Sequence, residues 1–84
     1  MLTKPVVHLN GSGKKLLNKQ YRNAYDALHT AIGALIEMSP HGRDYYPHPD
    51  PDAFEKAREE NRARIEKLNQ VQREVMELMR ALDS

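Results

Sequence analysis

Apolar residues recur at three- and four-residue spacing over two long stretches of this chain, separated by a proline-rich break. In the first stretch, Leu17, Tyr21, Ala24, Leu28, Ala31, Ile32 and Leu35 share one helical face, which predicts a helix over 13–38. Leu16, Tyr25, Ala27, Ala34, Ile36 and Met38 widen the apolar arc. It then spans roughly 200°, about twice what one partner helix covers. In the second stretch, Ala57, Asn61, Ile65, Leu68, Val71, Val75, Leu78, Met79 and Leu82 trace a stripe that predicts a helix over 52–83. Glu60/Arg64, Arg62/Glu66 and Arg73/Glu77 are spaced to support it as ion pairs four residues apart. At a rise of 1.5 Å per residue the two helices are about 40 and 48 Å long.

The break at 39–51 holds four prolines and a glycine, which predicts a stiff loop without regular structure. Pro40 disfavours helical geometry at Ser39 and ends the first helix there. The second helix has two readable starts. Either Asp50 caps it with Pro51 in the first turn, or Asp52 caps it and Glu55 closes a capping box. Ahead of the first helix, residues 1–12 read as an extended arm and turn. Val6-Val7 is β-branched, Pro5 opposes a helix start, and Asn10-Gly11-Ser12-Gly13 turns the chain, with Ser12 as N-cap. The fold class is therefore all-α: one domain, 1–84, built as an antiparallel two-helix hairpin with a short extended N-terminal arm. The wide apolar arc of the first helix needs more cover than one partner. The hairpin is expected to complete a helical bundle of coiled-coil type by homo-oligomerisation.

Composition reinforces that expectation. An 84-residue chain buries only roughly 60–65% of the surface it exposes unfolded. Net charge is +1, but unevenly placed: residues 1–25 carry five bases and no acid, and residues 26–60 carry eight acids against three bases. A chain basic at one end and acidic in the middle suits head-to-middle docking on a second copy. It lacks the continuous basic surface that nucleic acid needs, so nucleic-acid binding ranks last. There is no cysteine, hence no disulfide and no thiolate chemistry. No apolar run approaches the ~20 residues of a membrane span, and Asn10-Gly11 arrives too early for a signal peptide. A cytoplasmic protein without a membrane partner is expected.

Candidate chemistry is confined to a few places. Asn10-Gly11-Ser12-Gly13-Lys14-Lys15 offers free amides, glycines and lysines at a helix N-terminus, a combination that suits phosphate. It is not a P-loop, since His8 holds the place of that motif's first glycine and Lys15 the place of its Ser or Thr. The plain alternative is a turn and a cap. In the loop, Arg43 offers a bidentate fork and Tyr45 and Tyr46 offer flat faces for a base. Alternatively both rings pack under the loop and Arg43 pairs with Asp44. His41, His48, Asp44, Asp50 and Asp52 lie close in sequence but match no metal-ligand spacing, so no metal or other cofactor is expected. Asn61, Arg64 and Gln72 interrupt the apolar face of the second helix. Asn61 reads either as a register-setting residue facing Ala27, Ala31 and Ala34, or with Arg64 as one wall of a polar pocket. Arg58, Arg62, Asn69, Arg73 and Arg80 form a basic edge on the second helix, and Arg22, Tyr25 and His29 a similar edge on the first. Both read first as solvated. No nucleophile is paired with a base and no two carboxylates share an apolar setting, so an enzyme is not expected.

The pairing of HLNGS at 8–12 with HGRDYY at 41–46 resembles a group of small phage proteins. That group carries an HLNG-Ser/Thr element ahead of the first of two helices and a GRDYY element between them. The resemblance spans most of the chain and implies phage origin, without an activity. In size, helical build and expected self-association the chain is also similar to phage anti-defence sponges. These are small homo-oligomers that sequester cyclic nucleotides or ADP-ribose-type immune signals in the host cytoplasm. That analogy concerns architecture and carries no residue over. The expectation is a homo-oligomeric binding protein for a small anionic, nucleotide-like ligand, held between subunits by His8, Asn10, Ser12, Lys14, Arg43, Tyr45, Tyr46 and Arg64. The alternative is a structural or protein-binding module, a helical adaptor or inhibitor without a small ligand.

Overall fold

The structure is a computed structural model and describes residues 2–6 and 12–83, with the backbone alone for Ser12 and Asp83. Its order is α1 (Ser12–Glu37), α2 (Gly42–Tyr45) and α3 (Ala53–Asp83). The long helices α1 and α3 pack against each other, and the single-turn α2 rests on α3. Residues 2–6 adopt neither helix nor strand. The remainder of the expected extended segment, including His8, lies outside the described residues.

Three boundaries shift by one residue and one element is new. Helix α1 begins at Ser12, so this residue opens the helix rather than preceding it as a cap. At the far end, the Met38 amide still reaches the Ala34 carbonyl at 3.1 Å, but the Ser39 amide turns to Ile36 at 3.1 Å. This tightening of the last turn is forced by Pro40 at the following position. The loop does contain regular structure. The Asp44 amide donates to the His41 carbonyl at 3.1 Å and begins the one-turn α2. The sequence Gly-Arg-Asp-Tyr contains no proline, and prolines only bracket it. Helix α3 starts one residue later than expected. The Asp52 carbonyl accepts its first bond, from the Lys56 amide at 3.0 Å, while the Asp50 carboxylate accepts from the Asp52 amide at 2.9 Å.

The α1–α3 seam follows a heptad. On α3, Asn61, Met79 and Leu82 are buried and Ile65, Leu68, Gln72 and Val75 are half-buried between them. Their alternating four and three spacing is that of a coiled-coil seam. Two expected positions depart from it. Val71 is exposed, and Gln72 takes its place in the seam. On α1, Ala24 is exposed and the half-buried seam residue is Tyr25. Both departures are one-residue steps of 100°, enough to move a side chain from seam to flank.

Among the described residues, the interior is this seam together with Ala53 and Ala57 at the start of α3. The buried apolar residues are Ala53, Ala57, Met79 and Leu82, and among the described residues no side chain is fully buried. The molecule measures 62 × 23 × 14 Å. A helix with its side chains is roughly 10–12 Å across, so the body is one helix thick and two wide. Each long helix therefore shows solvent on two sides. The chain exposes 6801 Å², whereas a compact monomer of 9.7 kDa exposes about 5,100 Å². Leu16, Ala27, Ala34 and Met38 are all exposed, and at 100° per residue they lie within about 40° of one another. With Gln20 in the same arc, they form a second, mostly apolar strip on α1 that α3 does not cover. No helix among the described residues is long and apolar enough to cross a membrane.

Candidate functional site

The loop end of the hairpin is organised around Asn61. Its Nδ2 donates to the Leu35 carbonyl at 2.9 Å and lies 3.4 Å from Ser39 Oγ. The last carbonyls of any helix lack a partner within it, and Ser39, which would normally serve Leu35, has turned to Ile36. Asn61 supplies the missing donor from the other helix. Its contact is therefore with the end of α1, beyond the alanines the sequence placed opposite it. The carbonyl is an acceptor only, so it fixes which way the amide faces. Asn61 Oδ1 is buried without a partner.

Asn61 also lines two shallow recesses. One, of about 300 Å³, includes Asp44, Tyr45, Glu60 and Arg64 with Met38 and Pro40. The other, of about 250 Å³, includes Arg58, Arg62 and Ile65. Arg43 faces a separate depression with His41 and Asp44. Of the expected ligand groups, then, the fold brings Tyr45 and Arg64 together and sets Arg43 beside them across Asp44. Tyr45 is half-buried, its ring 6.3 Å from Phe54 and 6.4 Å from His48. Tyr46 is 90% exposed, so the two tyrosines stand in different surroundings. Asp44 and Glu60 outnumber Arg64 in the larger recess, which gives it an excess of negative charge in one chain. Lys14 stands in the first turn of α1, exposed, at the opposite end of the hairpin. His8 and Asn10 lie outside the described residues, as does the Ser12 side chain.

The start of α3 is held by charge. Lys56 Nζ meets Asp50 Oδ2 at 2.6 Å, and the Asp50 amide donates to His48 Nδ1 at 3.0 Å. The Lys56 bond first, then the Asp52 amide, with lesser help from the charges of Lys56 and His48, hold the Asp50 carboxyl below its ordinary range against the opposing effect of desolvation. Two of the five residues considered for a metal are thus tied into a turn. Among the described residues no three of His, Cys, Asp and Glu gather as a metal group. Farther along α3, Arg58 pairs with Glu55, Arg62 with Glu59 and Arg73 with Glu66. None is one of the pairs four apart that the sequence offered. Long exposed side chains reach neighbours three or seven residues away equally well. Arg58 also stacks over Phe54 with its guanidinium 5.6 Å from the ring centre.

The sequence left Tyr25 and Arg73 on two unrelated edges. The fold joins them in a third recess, of about 290 Å³, with Gln72, Met76, Glu77 and Arg80. The signal for it was present in the interruption of the α3 stripe by Gln72, but pairing it with Tyr25 required the register of the hairpin. In comparison with known proteins, no family model, no curated protein and no solved structure matches the chain.

Proposed function

We propose that the chain is a subunit of a homo-oligomeric, non-catalytic binding protein, of phage type, that sequesters a small anionic ligand of the nucleotide class between subunits. The observation that carries this reading is the unfinished core: a layer one helix thick, with an uncovered apolar strip along α1. The surplus exposed area is roughly 1,700 Å² over a compact monomer of this mass, and a standard interface covers about 800 Å² per partner. Charge placement supports a site shared between chains. The Tyr45–Arg64 recess is acidic in one chain, and an anion enters it only if a second chain brings cations. The basic first turns of α1, with Lys14 and Lys15, are the groups at hand. They lie at the far end of their own hairpin, so only an antiparallel neighbour delivers them.

Isothermal titration against a panel of cyclic dinucleotides and ADP-ribose derivatives tests this reading. Saturable heat with at least one member, at a ratio of ligand to assembled subunits, is the expected result. Absence of heat with every member contradicts it. The same uncovered strip of Leu16, Ala27, Ala34 and Met38 also favours a second reading, in which the hairpin docks on another protein as an adaptor or inhibitor. In that case Arg43→Ala with Tyr46→Ala leaves activity intact and a charge at the exposed Met38 abolishes it.

A further inference from the structure

We infer that the recess between Tyr25 of α1 and Gln72, Met76, Glu77 and Arg80 of α3 is a separate binding site. Its ligand chemistry is a flat ring that carries an anionic group and a hydrogen-bond donor, as a nucleotide does. The recess lies midway along the open half of the hairpin, away from Asn61, and shares no residue with the loop-end recesses.

Four features of its lining converge. The half-buried Tyr25 and Met76 supply an apolar wall and a ring face for a planar group, which stacking on an aromatic side chain favours for any base. Gln72 is half-buried in the seam, and its Nε2 is buried without an acceptor. A shielded amide donor left in this state has lost its hydration without gaining an acceptor. The terminal torsion of glutamine is broad, so the amide turns outward readily when an oxygen is offered. Arg80 is exposed and has no ion-pair partner among the described residues. It supplies a planar fork for phosphate or carboxylate. Arg73, by contrast, is occupied by Glu66 at 2.9 Å and Gln70 at 2.8 Å, and acts as a wall. Glu77 accepts from a hydroxyl or amino group, so a bare anion satisfies only part of the site. The volume, about 290 Å³, falls just below the range of roughly 300–1,000 Å³ found for ligand pockets. It suits a single nucleotide unit.

Two sets of variants separate this site from the loop end in titrations with cyclic dinucleotides, ADP-ribose and adenosine monophosphate. One set is Tyr25→Ala, Gln72→Leu and Arg80→Ala; the other is Arg43→Ala with Tyr46→Ala. The inference predicts saturable heat with at least one probe and a loss of affinity of roughly tenfold or more with Arg80→Ala, the size expected for removing a charge-assisted contact. Gln72→Leu retains the seam, as circular dichroism checks, and still weakens binding. If binding is lost only with the loop-end pair, this site is overturned while the proposed function stands. If no probe binds at all, both fall. Heat retained in every variant also overturns the assignment.

Discussion

The side-chain amide of Asn61 donates to the main-chain carbonyl of Leu35 across the hairpin, at 2.9 Å. One bond does two things. It closes the C-terminal end of α1, where Pro40 has pulled the Ser39 amide away, and it fixes the register of α3 against α1. With Asn61 opposite Leu35, heptad steps along the antiparallel pair place Leu28 opposite Leu68 and bring Tyr25 to Gln72, where the recess is found.

Asn61→Ala removes a donor that is itself only 3% exposed and leaves the Leu35 carbonyl unserved. A destabilisation of about 1–3 kcal/mol is expected, read by urea unfolding. Asn61→Asp is worse, because a carboxylate cannot donate to a carbonyl. A null effect for both would mean that the bond does not hold the register.

Gly33 lies inside α1, and a Cβ built there meets nothing within 4 Å. Gly33→Ala should therefore stabilise the protein by roughly 0.5–1 kcal/mol through helix propensity. For a domain of this size that raises Tm by a few degrees, roughly 2–8 °C. A fall in Tm instead places a close neighbour at this point of the assembled protein.

Much of the fold was legible in the sequence because the heptad and the proline break are local signals. The spacing of Leu17, Tyr21, Leu28 and Leu35 defines α1, and Pro40 ends it. What was not legible depends on small rotations and on the second helix. Ala24 and Tyr25, or Val71 and Gln72, are one residue apart, and only the crossing of the helices decides which enters the seam. The apolar pattern favoured Ala24 and Val71; Gln72 was legible as an interruption of the α3 face, but packing decided that it and Tyr25 enter the seam. The loop showed its prolines but not the single turn of α2 between them. That turn places Tyr45 against Phe54 and leaves Tyr46 in solvent.

The turn before α3 should respond to pH with a defined sign. The Asp50 carboxyl is held below its ordinary range, first of all by its bond to Lys56. Its contribution is thus fully present above the ordinary carboxylate range. It is lost as pH falls below about 4 towards the lowered value in the folded chain. Thermal unfolding of the wild type and Asp50→Asn should differ at pH 7, and the gap should close in acid. A gap that is constant down to pH 2.5 contradicts the assignment of Lys56 as its partner.

The uncovered strip on α1 predicts where self-association is most sensitive. Ala34→Glu puts a charge among exposed apolar positions without touching the α1–α3 seam. Helicity by circular dichroism should persist while the assembly dissociates. If assembly survives Ala34→Glu and also Leu16→Glu, the strip is not the contact surface.

Native mass spectrometry of freshly purified protein tests the central claim most directly, because it reads subunit number and bound small molecules together. The account predicts an oligomer at micromolar concentration, with a co-purified or added anionic ligand retained on the assembled form. A bare monomer of 9.7 kDa at every concentration, folded by circular dichroism, contradicts it.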